Sequence, residues 1–199
     1  MRDAVAQIST RDAILDATDR LLARYGYKKM TIDDLAAEVG IGKGSVYLHF
    51  ASKQEIALSH IDRIIERLKI RLEDIAERKT PADERLRLML AERVMFRFDS
   101  VQHYTQSLNE LLAGLRAQLL ERRKTHFEEE ARIFAAVIED GKHAGTFANG
   151  DAFETAQTLL QATNSLLPYS LSTRELGERP EIEKKAKDIA KLLVNGLAK

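Results

Sequence analysis

Apolar residues recur at steps of three and four along almost the whole chain, and no stretch alternates apolar with polar residues. That period describes helices with one buried face and leaves no segment for a surface strand. Ala13, Ile14, Ala17, Leu21 and Leu22 open the pattern. Ile56, Ile61, Ile64, Ile65, Leu68, Leu72 and Ile75 carry a long middle element, and Ile182, Ala186, Ile189, Leu193 and Leu197 close the chain. Only three prolines and ten glycines interrupt 199 residues. The expected fold class is all-α, with about nine helices and no sheet.

Local signals place the boundaries. Thr31, Ser52 and Asp151 suit N-caps, whose side-chain oxygens accept from the first free N–H groups of a helix. Thr80-Pro81 and Pro180 suit helix starts, and Pro168 a stop. Gly26 and Gly40 suit C-terminal stops. A helix from Val101 is expected to break near Gly114, before a long charged helix from Arg116 to Lys142. Gly141, Gly145 and Gly150 mark the loop that follows. The charge run from Glu121 to Arg132 reads as a solvated face held by pairs three and four apart.

Composition removes several function classes. There is no cysteine, so disulfides, thiol catalysis and cysteine-ligated metals are excluded. Thirty-one basic residues balance 31 acidic ones, which rules out a globally basic nucleic-acid coat. The opening Met1-Arg2-Asp3 has no apolar signal core, and no apolar run approaches a membrane span. A cytoplasmic protein without membrane contact is expected. The motif Gly-x-Ser-x-Gly does not occur, and no enzyme activity is expected. No cofactor or metal site is expected either. His126 and Glu130 lie one helical turn apart, a spacing that a solvated pair on a charged helix explains better than a ligand pair.

Residues Thr31 to Phe50 carry the chemistry. Two short helices packed steeply across a tight turn need a small residue at the crossing, and Ala36 supplies it. They need a residue tolerant of positive φ in the turn, and Gly40 supplies that. Leu35, Val39, Ile41 and Val46 fall where the pair must lock together. The pattern is a helix-turn-helix. Gly40-Ile-Gly-Lys-Gly-Ser45 is not a nucleotide-binding P-loop, because position 37 is alanine and glycine follows the lysine. On the second helix Lys43, Tyr47 and His49 are able to reach phosphates or base edges, while Gly44 and Ser45 allow close approach of the backbone. Lys53 adds a phosphate contact. Between Arg20 and Lys53 six basic residues face three acidic ones, a local excess of three within a neutral chain.

The run Thr31-Ile-Asp-Asp-Leu-Ala-Ala-Glu-Val-Gly-Ile-Gly-Lys-Gly-Ser-Val-Tyr-Leu-His-Phe50, followed by Ser52-Lys53-Gln-Glu55, closely resembles the DNA-binding domain of TetR/AcrR-type transcriptional regulators. The helix before it, ending Tyr25-Gly26-Tyr27, fits as well. The resemblance covers residues 10–60; beyond them the chain matches in helix number and order. It implies a helix-turn-helix domain over 1–55 and a larger helical effector-binding and dimerisation domain over 56–199. It also implies a homodimer through the last two helices, a palindromic double-stranded operator, and a small-molecule effector that releases DNA from a repressor. Carried over by position, Thr31 meets a phosphate at its helix N-terminus. Lys43, Gly44, Ser45, Tyr47, His49 and Lys53 line the DNA face, with Val46 and Phe50 in the core.

Met89, Phe96, Tyr104, Phe127 and Phe134 are candidates to line the effector cavity, although residues of these types at helical spacing more often form plain core. Gln106, Asn109, Glu110, Gln161, Thr163 and Asn164 are polar residues on otherwise apolar helices. Asn164, between Leu160 and Leu167, joins the cavity candidates and faces either pocket or dimer seam. The rival reading is a helical small-molecule binder or oligomerisation module that keeps the helix-turn-helix shape without DNA function.

Overall fold

Why the chain breaks where it does is visible at its caps. In the computed structural model, which describes residues 9–102, 105–167 and 177–199 and side chains outside 101–113, helix α1 spans Thr10–Lys29. Gly26 interrupts it with φ 77° and ψ 167°, and a final turn follows before Met30. Helix α2 spans Ile32–Val39 behind a reciprocal capping box. Asp34 N–H donates to the Thr31 hydroxyl at 3.1 Å, and Thr31 N–H donates to the Asp34 carboxylate at 2.9 Å. Gly40 ends α2 in the left-handed region (φ 76°, ψ 33°), where a Cβ is costly. Its N–H and that of Ile41 both donate to the Ala36 carbonyl at 2.9 Å. Helix α3, Lys43–His49, starts two residues beyond Ile41.

Helix α4 is continuous over Lys53–Ala76, and Ser52 caps it as expected, accepting from Glu55 N–H at 3.1 Å. Helices α5 (Ala82–Gln102), α6 (Thr105–His143), α7 (Ala152–Asn164) and α8 (Arg179–Asn195) complete the chain. Asp151 caps α7 and Pro180 stands in the first turn of α8. The described residues thus hold eight helices and no strand, an all-α fold. The helices expected from Val101 and from Arg116 belong in part to one element: α6 leaves helical geometry only at Leu115 (φ −125°, ψ 16°), next to Gly114. Pro168 lies outside the described residues.

The chain packs as two compact units, one drawn from Met1–Arg63 with Gln106–Leu119, the other from Ile64–Thr105 with Leu120–Lys199. In the first unit Ile14, Leu15, Leu22, Leu35, Val46 and Ile56 are fully buried. In the second, α5 packs along α8 and against α7. Its core joins Leu72, Leu86, Met89, Phe134, Val137 and Leu160. Phe147 pairs with Ala198 in an isolated antiparallel bridge that fastens the last residues beside the end of α6.

Candidate nucleic-acid interface

The helix-turn-helix assembles as its sequence requires. Leu35, Ala36 and Val46 are buried at the α2–α3 crossing, and Val39 and Ile41 are half-buried beside them. Phe50 ends α3 and is only 3% exposed, so it takes the packing role that His49, which faces solvent, does not. The Arg11 guanidinium lies over the Phe50 ring at 5.0 Å.

One face of α3 is left open. Lys43, Gly44, Tyr47, Leu48 and His49 are exposed, and Ser45 is half-buried. A Cβ built on Gly44 meets nothing within 4 Å, so packing inside the protein does not demand glycine there. Tyr47 is 49% exposed, and Leu48, at 84%, projects further than any other large apolar side chain described. Sequence reasoning passed over Leu48. Its signal was position: it sits between the buried Val46 and Phe50, on the far side of a helix too short to bury anything else.

Several charged groups of α1, α2 and α3 are engaged with one another. Lys43 Nζ donates to Asp33 at 2.8 Å, a solvent-exposed pair between α3 and the first turn of α2. The hydrogen bond it donates to Asp33, with that carboxylate's charge, holds the Lys43 ammonium above its usual pKa. Arg20 Nε donates to Glu38 at 2.7 Å. The Thr31 hydroxyl donates to Asp34 at 2.7 Å, so the helix N-terminus expected to meet a phosphate carries its own carboxylate.

Lys53 differs from the expectation. Its ammonium donates to the carbonyls of Tyr27 at 2.9 Å, Met30 at 3.0 Å and Lys28 at 3.3 Å, and lies 4.6 Å from the centre of the Tyr27 ring. An ammonium has three donors. All three point into the end of α1, and in this arrangement none is left for a phosphate.

In the second unit, five of the cavity candidates are placed. Met89 and Phe134 are fully buried, Phe96 and Phe127 are partly buried against the same core, and Asn164 is half-buried. Tyr104 lies outside the described residues, as do the side chains of Gln106, Asn109 and Glu110. Asn164 Oδ1 accepts from Arg93 Nη1 at 3.1 Å, and Thr163 accepts from the same group at 3.2 Å. Their polarity is therefore answered within the protein.

Glu130 corrects the reading of the charge run as a solvated face. It is fully buried, and its two oxygens accept from Arg93 Nε and Arg97 Nη2, each at 2.5 Å. It does not pair with His126. That histidine faces Glu129 at 3.5 Å. Glu66, His126 and Glu129 bring donor atoms within 4.8 Å of one another. Lys69 reaches the same place, bonded to Glu129 at 2.7 Å and to Glu66, so the two carboxylates already share an ammonium.

Comparison with known proteins places this geometry. Residues 14–59 match the family model described as bacterial regulatory proteins, tetR family. Residues 82–190, more than half of the chain, match the tetracyclin repressor-like C-terminal domain. The chain belongs to the TetR family. Along the TetR-family chain, the HTH-type transcriptional regulator EthR of Mycobacterium tuberculosis is 25% identical over 171 residues, 85% of this chain and 77% of that protein. Four other curated relatives match over shorter stretches, and the chain spans 23% to 46% of their length. A solved transcriptional regulator from Cytophaga hutchinsonii superposes with a TM-score of 0.74 at 21% identity, over 94% of this chain and 97% of that one. The transcriptional regulator FadR of Bacillus subtilis, solved in complex with stearoyl-CoA, gives 0.68 at 19% identity, over 93% and 98%. No helix among the described residues of this TetR-family member is long and apolar enough to cross a membrane.

Proposed function

We propose that this chain is a DNA-binding transcriptional repressor that acts as a homodimer on a palindromic operator and is released by a small hydrophobic effector. The observation that carries the reading is the open face of α3, which packing leaves free while the other face is locked into the core. Lys43, Gly44, Ser45, Tyr47 and His49 are the proposed contacts, with Thr31 at the edge and Leu48 added as an apolar contact to a thymine methyl. Lys43 exchanges Asp33 for a phosphate on binding. Two recognition helices in successive major grooves call for half-sites about 34–36 Å apart.

The proposed division of labour is DNA reading by residues 1–55 and effector binding and dimerisation by 56–199. The apolar core around Met89, Phe96, Phe127 and Phe134 supports a hydrophobic effector, since pockets are lined by the same residue types. The last two helices form the dimer seam, and Leu192 on α8, 72% exposed, supports that assignment. The coupling element is α4, one unbroken helix that contributes residues to both units. An effector shifts the DNA-binding conformer only by its differential affinity for the two states. No catalytic role is assigned, and the protein acts in the cytoplasm.

Selection of genomic DNA fragments by the purified protein at near-physiological salt tests the reading. Enrichment of a palindrome supports it. Enrichment of nothing leaves the helix-turn-helix as a scaffold and returns the function to the second unit.

A further inference from the structure

The helix-turn-helix is a loop of chain whose two ends meet at one side chain. Thr31, directly after Met30, opens α2, and Phe50 closes α3 three residues before Lys53. The Lys53 ammonium donates to Met30 O at 3.0 Å, Tyr27 O at 2.9 Å and Lys28 O at 3.3 Å. The Tyr27 and Lys28 carbonyls belong to the final turn of α1, past the break at Gly26, and Met30 is its C-cap. Carbonyls at a helix C-terminus lack intrahelical partners and carry the negative end of its dipole, so a cation there is doubly favoured. The Tyr27 ring beneath the ammonium is buried, and burial raises its hydroxyl pKa.

We propose that Lys53 serves operator binding as a positioning residue: its ammonium clamps the α1–α2 junction to the start of α4 and so fixes the pose of α3 against DNA. This inference rests on the operator-binding reading. A phosphate contact and a clamp make opposite predictions. A lysine on a phosphate releases a counterion, and its loss lowers the slope of log K against log salt by about 0.9 per contact. A clamp acts through the geometry of other groups and leaves that slope unchanged. An arginine satisfies a phosphate as well as a lysine does, but its planar fork does not reproduce three donors converging on one turn.

The experiment measures binding of wild type, Lys53→Met and Lys53→Arg to the palindromic duplex that the wild type enriches, across a salt series, with Lys43→Ala as the slope reference. The expected result is binding weakened about tenfold in Lys53→Met, the usual weight of one charged hydrogen bond, with unchanged slope. Lys53→Arg is expected to bind more weakly than wild type, again with unchanged slope. A slope reduced as in Lys43→Ala, or wild-type affinity in Lys53→Arg, overturns the clamp. Hydrogen exchange of DNA-free protein is the second arm. Faster exchange of residues 27–36 in Lys53→Met is expected, and unchanged exchange overturns the proposal. If wild type enriches no duplex, the operator reading fails while this arm still reports on the clamp.

Discussion

Arg93 and Glu130 form an ion pair with both side chains buried, Nε to Oε2 at 2.5 Å, between α5 and α6. Arg97 holds the other carboxylate oxygen, and Arg93 reaches on to Leu160 O and Thr163 of α7. The cluster thus ties three helices through polar groups inside an apolar core. Removing one member of such a buried pair leaves an uncompensated charge, at a cost of about 3–5 kcal/mol. Glu130→Gln is expected to lose stability of that order in denaturant unfolding. An unchanged midpoint would mean that the cluster contributes nothing to the fold.

The same carboxyl gives stability a pH dependence. Burial alone would raise the Glu130 pKa, but the Arg93 and Arg97 guanidinium groups outweigh it and hold it below the usual 4.5. Glu129 is also lowered, chiefly by the hydrogen bond from Lys69, though it is 38% exposed and screened by solvent. A carboxyl depressed in the folded state contributes stability that is fully present above its unfolded value and is lost as pH falls through the folded one. Melting temperature should therefore hold above pH 4.5 and fall below it. Glu130→Gln should melt lower throughout and fall less steeply there. An equally steep acid limb in the variant would assign the titration elsewhere.

Gly141 in α6 leaves room that Phe147 fills. A Cβ at position 141 would stand 2.2 Å from Phe147 Cδ2 and 3.1 Å from Ala82 Cβ. Gly141→Ala gains helix propensity but overpacks a buried contact, which costs about 1–3 kcal/mol. A lower unfolding midpoint with intact helical circular dichroism is expected. Equal or higher stability would show that the Phe147 ring moves aside freely.

Gly44 reverses that balance. With open space at its Cβ position and an ordinary helical backbone, Gly44→Ala should stabilise the free protein by up to about 1 kcal/mol. Against DNA the added methyl stands on the face that approaches the groove, and affinity should drop. Calorimetry and a binding titration on one preparation separate the effects. Higher stability with unchanged DNA affinity would remove Gly44 from the interface.

What was legible in the sequence follows the range of the forces involved. Thr31, Gly40, Ser52 and Asp151 act on their own turns, and each stands in the structure where local chemistry puts it. The break at Leu115 was visible through Gly114, although α6 continues as one element. Glu130 was misread because helical periodicity assigns charged residues to solvent. Its partner Arg93 is 37 residues away, and no local rule pairs them. The partners of Lys53 were out of reach for the same reason. A lysine beside a DNA-reading helix suggests a phosphate, and only the folded chain brings the end of α1 beneath it.

Whether the open face of α3 reads DNA is decided by comparing wild type with Lys43→Ala/Tyr47→Ala. Both side chains are exposed, so the double variant keeps its fold, checked by an unchanged melting curve. Each protein is titrated against the enriched palindrome over a range of salt. The variant is expected to lose specific binding, and its residual binding to have a slope lower by about one per subunit, the signature of one lost phosphate contact. Equal affinity and equal slope in the two proteins would contradict DNA reading by this face.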